Sequence, residues 1–256
     1  VRSPDAHETT ALRREIAALR VLNHPGVVAF YGAGFREGLP WMAVERLRGY
    51  TIVDLIDSFF PRSVPSVEPP VETPSDDLPT IPIRGRELEL ERPAPHATSR
   101  AAGGRIDRAL TVVAALCPAL DHVHAQQIVH RDLKPGNVMV NEDGRVVLLD
   151  FGLARRGTGG RVRGSGTPRV GTLQYAAPEQ VRGEIVDGRA DLYSLGCVFY
   201  ELLTGRRPFD GGTLDEIADR QLYVLPPPPS HWVDVPPAVD ALVMGLLAKD
   251  REHRPS

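Results

Sequence analysis

Several residue types are scarce in this chain, and each scarcity excludes a class of protein. Only Cys117 and Cys197 are cysteines, too few for a disulfide framework. Both lie in apolar helical patterns and are predicted to be small core residues. No apolar run reaches the roughly 18 residues that a membrane-spanning helix needs, and the polar first ten residues do not resemble a signal peptide. The sequence therefore predicts a reducing, cytoplasmic setting and no membrane segment.

Net charge and lysine content are low as well. The formal net charge is −3, so no broad electrostatic field indicates a nucleic-acid or lipid partner. Of the 30 basic residues, only Lys134 and Lys249 are lysines, and the other 28 are arginines. The remaining composition, with 42% hydrophobic and 25% charged residues, is typical of a globular protein.

The hydrophobic pattern changes along the chain from mixed α/β to mainly helical. Residues 11–22 place apolar side chains on one helical stripe, and short strands are predicted at about 27–35 and 41–47. A short helix is predicted to begin at a Thr51 cap, and helical periodicity returns from Ile106. Because the strands come first and the helices follow, we expect an α+β fold of two lobes rather than one continuous sheet.

Residues 61–104 interrupt this pattern. They contain nine prolines, mixed charge and almost no periodic apolar pattern. Since proline fixes φ and lacks an N–H donor, we expect a disordered or loosely extended insert. A surface insertion without a partner is the simpler interpretation, and docking of a partner protein on this proline-rich segment is the alternative.

A cluster of polar side chains lies between apolar ends in "IVHRDLKPGNVMV", residues 128–140. The segments "VMV" and "VVLLD" flank "NEDG", which predicts a hairpin that returns Asp150 to the neighbourhood of Asn137. Asn137 and Asp150 offer the hard oxygen ligands that suit Mg²⁺ with bound phosphates. Lys134 can neutralise a migrating phosphoryl group. Asp132 is left to accept a hydrogen bond from an attacking hydroxyl.

Four motifs, "HRDLKPGN", "DFGLA", "GTLQYAAPEQ" and "DLYSLGCVFYELLTGRRPF", resemble the catalytic core of protein kinases of the serine/threonine type, in the style of bacterial kinases of the eukaryotic type. The resemblance implies a protein-kinase-like two-lobed α+β fold, ATP and Mg²⁺, and protein substrates with Ser or Thr acceptors. By resemblance, Asp132 orients or deprotonates the acceptor hydroxyl, and Lys134 contacts the γ-phosphate. Asn137 and Asp150 would hold the magnesium ions.

The resemblance also implies roles around the nucleotide. Glu15 occupies the position of the glutamate in the αC helix, and Val44 occupies that of the gatekeeper. The hinge backbone at Glu45 and Leu47 would hydrogen-bond adenine, and Met139 would pack under the purine ring.

Further contacts are implied by the family pattern. Glu179 is expected to form a buried ion pair with Arg254. Asp191 is expected to bind backbone amides of the "HRD" loop, and Thr172 to contact the substrate and Asp132. Helix packing and loop anchoring, rather than a metal, are assigned to the nearby histidines His122, His124 and His130.

The segment between Asp150 and Glu179 predicts a phosphorylation switch. It contains five arginines and no other acid, and Arg131 lies beside Asp132. A phosphate on this loop would offer these arginines a shared anion. Autophosphorylation would modify one of three candidates, which are Thr158, Ser165 and, ranked first, Thr167. A basic loop without phosphorylation is the alternative.

Two parts of the family pattern are absent from the sequence. Neither a lysine nor a Gly-rich phosphate loop precedes Glu15, and the chain ends at "HRPS", before the last helix usual in the family. One interpretation is a fragment of a longer kinase, cut just after the strand lysine. The other is a pseudokinase scaffold or binding module. Because groups that should cover the nucleotide are missing, we expect weak phosphate transfer by these 256 residues alone.

The expected domain organisation follows from the resemblance and the composition. The predicted parts are a partial N-lobe with αC, two strands and the hinge at 1–47, the αD start of the C-lobe at 48–60, the proline-rich insert at 61–104, and the remaining C-lobe at 105–256.

Overall fold

The fold is given by a computed structural model that describes residues 6–36, 39–61, 99–156, 162–163 and 171–255. In chain order its helices and strands are α1 (Ala6–Leu19), β1 (Phe30–Arg36), β2 (Leu39–Val44), β3 (Gly49–Thr51), α2 (Ile52–Phe59), α3 (Ser99–Ala125), β4 (Ile128–Val129), β5 (Val138–Asn141), β6 (Val146–Leu148), β7 (Arg155–Arg156), β8 (Val162–Arg163), α4 (Pro178–Val181), β9 (Ile185–Val186), α5 (Arg189–Thr204), α6 (Leu214–Tyr223) and α7 (Pro237–Leu246). Small sheets come early and helices dominate the second half, which confirms the predicted α+β class.

The strands β1 and β2 form a two-stranded antiparallel sheet that α1 contacts, with Phe30 opposite Val44. The first predicted strand began three residues earlier, at Val27. In the structure, Val27 instead bridges to Leu148 of β6, and the N–H of Val28 donates to the Leu148 carbonyl at 3.1 Å. This short pairing ties the segment before β1 to the sheet that carries the polar loop.

The second sheet has the strand order β3-β5-β6 and leads directly into α2. Thr51 and Asp54 form a capping box at the start of α2: Thr51 Oγ1 accepts from Asp54 N at 3.3 Å, and Asp54 Oδ2 accepts from Thr51 N at 2.7 Å. At Gly49, with φ of +153°, a Cβ would lie 2.1 Å from the carbonyl oxygen of Val140. Only glycine therefore allows β3 to approach β5 this closely.

The long helix α3 begins at Ser99, so residues 99–104 belong to a helix and not to the predicted insert. A formed helix extends easily because each added residue gains a hydrogen bond without a new nucleus. Pro118 lies inside α3 without ending it, at the cost of one backbone hydrogen bond. Cys117 is exposed, contrary to expectation, because it lies one position beyond the buried stripe that contains Leu116. Residues 62–98 lie outside the described residues.

Helix α5 lies at the centre of the main hydrophobic core. Nearly all of its residues are buried, including Tyr193 and Phe199, and it packs against α3 and α7. It ends at Gly205, whose left-handed φ of 70° forms the C-cap. Asp191, also buried, lies in its first turn and faces the polar loop. Among the residues that the structure describes, no helix combines the length and apolar character needed to cross a bilayer.

Residues 151–177, predicted from the sequence as a long loop, contain short regular pieces. Strand β7 pairs with β4, and β8 pairs with β9. A 3₁₀ turn at Leu173–Tyr175 precedes α4. The sequence missed these pieces because two-residue strands have no hydrophobic period, although their backbone groups still need partners.

Candidate active site

The buried carboxylate of Asp191 binds the backbone of the loop that follows β4. Its Oδ2 accepts the backbone N–H of His130 at 2.9 Å, and its Oδ1 accepts the backbone N–H of Arg131 at 2.8 Å. His124 of α3 donates from Nε2 to the same Oδ2 at 2.8 Å. Arg131 has a left-handed φ of 69°, which is unusual for a side chain with a Cβ. The buried carboxylate therefore stabilises a strained turn that presents Asp132 on the opposite side.

Asp132 is buried, and three side chains converge on its carboxylate. Lys134 Nζ donates to Oδ2 at 2.8 Å, Thr172 Oγ1 donates to Oδ1 at 2.8 Å, and Asn137 Nδ2 donates to Oδ2 at 3.1 Å. Asn137 Nδ2 also donates to the Asp132 carbonyl at 2.8 Å. A carboxylate has about four acceptor positions. These contacts fix the orientation of Asp132 and leave capacity for one more donor.

The hairpin β5–β6 brings Asn137 and Asp150 to the same end of the sheet. Val138 pairs with Leu148, and the next N–H, of Leu149, donates to the Asn137 carbonyl at 2.8 Å. Asp150 follows one residue later with a left-handed φ of 55°. The predicted return of Asp150 to the neighbourhood of Asn137 therefore follows from this register.

The oxygen atoms of Asn137 and Asp150 fit a magnesium ion. Both side-chain hydrogen bonds of Asn137 use Nδ2, so its Oδ1 is not committed to them. Asp150 Oδ1 accepts the N–H of Gly152 at 3.1 Å, which leaves lone pairs on both oxygens. Within the described part of the chain, no group of three or more His, Cys, Asp or Glu side chains could hold a metal. A carboxylate and an amide oxygen instead suit a hard cation that keeps water and phosphate ligands.

Glu15 of α1 points toward the turn that contains Asp150. Burial and the negative charge of Asp150 raise the pKa of Glu15, and the backbone N–H of Phe151 partly offsets them. Glu15 is therefore close to the candidate magnesium ligand. The ionised carboxylates of Glu15 and Asp150 repel each other. The sequence contains no lysine before Lys134 whose positive charge could offset this repulsion.

Of the residues predicted to contact adenine, Val44, Glu45 and Leu47 lie at the end of β2 and in the segment before β3, whereas Met139 lies on β5. Val44 ends β2 and is 36% exposed, and Leu47 packs partly buried against the core. The N–H of Glu45 donates to Ala29 at 2.8 Å, so its carbonyl is the group that remains for a ligand. Met139 is partly buried on β5. The Glu45 side chain forms an ion pair with Arg145 of the hairpin turn.

A buried ion pair joins α4 to the end of the chain. Glu179 at the start of α4 and Arg254 near the end of the chain are in contact at 2.6 Å. Of the residues predicted for the switch, Arg131 is 8% exposed and its carbonyl accepts from Gln180 Nε2 at 3.0 Å. The three candidate phosphorylation sites, Thr158, Ser165 and Thr167, lie outside the described residues.

Sequence reasoning missed two groups that support the site. Gln180 connects α4 to the polar loop through the Arg131 carbonyl, and its Oε1 accepts the N–H of Ala177 at 3.1 Å. The phenol of Tyr175 donates to Glu201 of α5 at 2.6 Å. Neither contact has a sequence signal, because an amide bound to a carbonyl 49 residues away has no characteristic spacing.

Two family models match this chain. The model described as protein kinase domain matches residues 97–256, and the model described as phosphotransferase enzyme family matches residues 1–158. Both include the loop and hairpin described above. Only the first includes the second half of the helical region, with Asp191 and the Glu179–Arg254 pair.

Curated relatives match nearly the whole chain. Serine/threonine-protein kinase PknB of Mycolicibacterium smegmatis is 35% identical over 249 residues, which cover 94% of this chain and 33% of the relative. A probable serine/threonine-protein kinase of Streptomyces coelicolor is 34% identical over 248 residues, with 94% and 31% covered. PknB of Mycobacterium leprae is 33% identical over 247 residues, with 94% and 33% covered. The chain spans about a third of the length of these relatives.

Proposed function

The chain belongs to the protein kinase family, and from this premise we propose that it transfers the γ-phosphate of ATP to serine or threonine hydroxyls of proteins. The observation that carries the proposal is the network on Asp132, in which Lys134, Thr172 and Asn137 all donate to one buried carboxylate. A purely structural loop does not need to concentrate these groups beside a second carboxylate, that of Asp150. The relatives named as serine/threonine-protein kinases support the same acceptor chemistry.

In the proposed reaction, Asp132 uses its remaining acceptor position for the substrate hydroxyl. As the hydroxyl oxygen forms its bond to the γ-phosphorus and the bond to the β-phosphate oxygen breaks, the proton passes to the carboxylate. Thr172 holds Oδ1 of Asp132 in place during this step. Lys134 already lies 2.8 Å from Asp132, where its charge can stabilise negative charge on the transferred group.

Asn137 and Asp150 would hold Mg²⁺, which supplies charge neutralisation of the ATP phosphates when bound. The Glu45 carbonyl and the Leu47 backbone would orient adenine. Val44 and Met139 would pack against it. The nucleotide would then lie between the β1–β2 sheet and the β5–β6 hairpin.

The decisive experiment is transfer from radiolabelled ATP to a serine/threonine peptide library, with the Asp132→Asn variant as the background. We expect transfer above this background, but slow transfer. Neither a lysine nor a Gly-rich loop precedes Glu15 in these 256 residues, and loss of one preorganised donor typically costs about 10²- to 10³-fold in rate. Transfer equal to that of Asp132→Asn would contradict the proposal and favour the scaffold interpretation.

Nucleotide binding supplies a readout that does not depend on turnover. A fluorescent ATP analogue titrated with and without Mg²⁺ should show Mg²⁺-dependent binding by the wild-type chain. The Asp150→Asn and Asn137→Ala variants should each reduce that dependence by roughly 10-fold or more. An unchanged Mg²⁺ dependence in both variants would remove these two residues from the metal site.

Three further parts of the hypothesis depend on the sequence alone. We propose that phosphorylation at Thr158, Ser165 or Thr167 orders the arginine-rich segment, which phosphopeptide mapping after incubation with ATP would test. Docking of a partner on residues 61–104 stays a prediction, tested by comparing pull-downs with and without that segment. The cytoplasmic location also stays a prediction.

A further inference from the structure

A polar cavity of about 450 Å³ lies at the end of α5, outside the residues that act on ATP. Three arginines line it, Arg206, Arg207 and Arg220, together with the indole of Trp232. Two acids, Glu201 and Asp210, also line it, so the arginines outnumber the acids. The cavity is therefore a candidate binding site for a negatively charged group.

Two of these guanidinium groups are positioned by uncharged partners. Arg206 lies over the Trp232 ring at 4.3 Å from its centre, and Trp232 Nε1 donates to the Tyr200 hydroxyl at 2.7 Å. Arg220 donates from Nη1 to the backbone carbonyl of Asp210. Because an indole face and a carbonyl do not neutralise a guanidinium group, both side chains keep their full charge for a ligand.

The two acids that line the cavity weaken this charge only in part. Glu201 is buried, accepts the Tyr175 hydroxyl at 2.6 Å and lies 3.7 Å from Arg207 Nε, so its charge is directed inward. Asp210 is exposed, and its Oδ1 accepts the N–H of Gly211 at 3.1 Å. Three positive charges thus face two negative ones, of which only Asp210 lies at the surface.

A second, smaller cavity adjoins this one on the side of the candidate active site. Glu201 and Arg207 also line a smaller cavity, of about 180 Å³, whose other wall includes Lys134 and Gly136. Lys134 contacts Asp132 directly. A peptide whose hydroxyl reaches Asp132 would therefore have to pass over Arg207 to place a flanking side chain in the arginine-lined cavity.

We propose that the arginine-lined cavity binds an acidic side chain of the acceptor protein. This side chain is either a carboxylate or an already phosphorylated residue, and it lies near the Ser or Thr that accepts the new phosphate. The proposal rests on the proposed function in that the ligand is the acceptor substrate. The edge N–H groups of Arg206 and Arg220 bind the oxyanion, and Trp232 supports Arg206 from below. Arg207, held by Glu201 and Tyr175, forms the wall between the two cavities.

The test is a binding titration of the full 256-residue chain, without ATP, with four fluorescein-labelled 12-residue peptides. They share one central serine and differ at the flanking positions, which carry two Ala, two Asp, two Lys or one phosphoserine. We expect the Asp or the phosphoserine peptide to bind at least 10-fold more tightly than the Ala peptide, and the Lys peptide to bind more weakly. Whichever acidic peptide binds more tightly identifies the source of the oxyanion.

Substitutions then assign this preference to the cavity. Arg206→Gln and Arg220→Gln should each weaken binding of the acidic peptide about 5-fold, and the double variant should abolish the preference. The charge-retaining variants Arg206→Lys and Arg220→Lys should keep most of it, which excludes misfolding as the cause. Arg108→Gln, an equal change of charge at an exposed position of α3 outside the cavity, should have no effect. Equal affinity for all four peptides, or a preference that survives the double variant, would overturn the proposal.

A second measurement separates this proposal from the proposed function. Asp132→Asn should abolish phosphate transfer but retain the preference for the acidic peptide. If wild-type transfer fails while the arginine variants still lose the preference, the docking site stands and the catalytic proposal falls. If transfer occurs with the same KM for Ala and Asp peptides, the docking site falls and the catalytic proposal stands.

Discussion

Arg254 and Glu179 form a bidentate ion pair across 75 residues of sequence, with Nη1 donating to Oε1 at 2.6 Å and Nη2 to Oε2 at 2.8 Å. The remaining guanidinium hydrogens donate to the carbonyls of Ala248, Arg189 and Lys249. All five donors of the guanidinium group are therefore used in a site where the Arg254 side chain is 0% exposed. This pair connects α4, the start of α5 and the end of the chain.

Arg254→Met should destabilise the protein strongly. The substitution leaves the Glu179 carboxylate buried without its cation and three carbonyls without their donor, and such losses typically cost about 3–5 kcal/mol of unfolding free energy. Urea denaturation provides the measurement. Arg182→Gln is the matched control, since Arg182 is exposed and 4.0 Å from Glu184, and should change stability by less than about 0.5 kcal/mol. A similar small change in both variants would show that the buried pair contributes little.

The contact between His124 and Asp191 should make stability depend on pH in one direction. Burial alone would lower the pKa of His124, but the hydrogen bond and the charge of Asp191 outweigh burial and raise it. Because the pKa of His124 is higher in the folded than in the unfolded state, its contact with Asp191 stabilises the fold fully below the unfolded-state pKa of about 6.5. This stabilisation is lost as pH rises through the folded-state pKa. The stability difference between wild type and His124→Gln should therefore be larger at pH 6 than at pH 8.5.

The control for this pH effect is His253→Gln, because His253 is 77% exposed and 3.9 Å from Asp250. Its stability difference from wild type should stay close to zero at both values of pH. A His124→Gln difference that is constant with pH would mean that His124 acts as a neutral hydrogen-bond donor.

Thr172 should affect transfer through its hydroxyl group. Thr172→Val removes the hydrogen bond to Asp132 Oδ1 and should lower the transfer rate by roughly 10- to 100-fold, since hydrogen bonds to charged groups contribute about 1.5–3 kcal/mol. Thr172→Ser keeps the hydroxyl and should restore most of the rate. The KM for ATP should change little in either variant. A serine variant as slow as the valine variant would instead assign the effect to the methyl group.

Glu15→Gln should slightly stabilise this chain at neutral pH. The pKa of Glu15 is raised by burial and by Asp150, so its ionised form is unfavourable in the folded state. The free energy of unfolding of the wild type therefore falls as pH rises through this raised pKa. Glutamine is uncharged and removes that loss, while its side-chain oxygen can still accept the backbone N–H of Phe151. We expect a gain of up to about 1 kcal/mol at pH 7 and none at pH 4. Glu142→Gln, at an exposed turn, is the control, and a loss of stability in Glu15→Gln at pH 7 would show that Glu15 has a cationic partner.

The sequence predicted the β5–β6 hairpin well because its signals are local. A turn sequence between two apolar runs fixes the register, and that register brings Asn137 and Asp150 together. Element boundaries were less accurate where tertiary pairing competed with the local pattern. Val27 pairs with β6 instead of extending β1, and α3 starts seven residues before the predicted Ile106.

The sequence by itself determined the α+β fold class and the resemblance of the polar loop to that of protein kinases. Both depend on motif spacing and hydrophobic period, which are properties of neighbouring residues. Only the tertiary structure decided how the loop is supported and what surrounds it. Asp191 reaches the backbone of His130 from 61 residues away. Arg220 joins Arg206 in one cavity because the chain turns between α5 and α6. Such contacts depend on how helices pack around a common core, and no local pattern of residues encodes that arrangement.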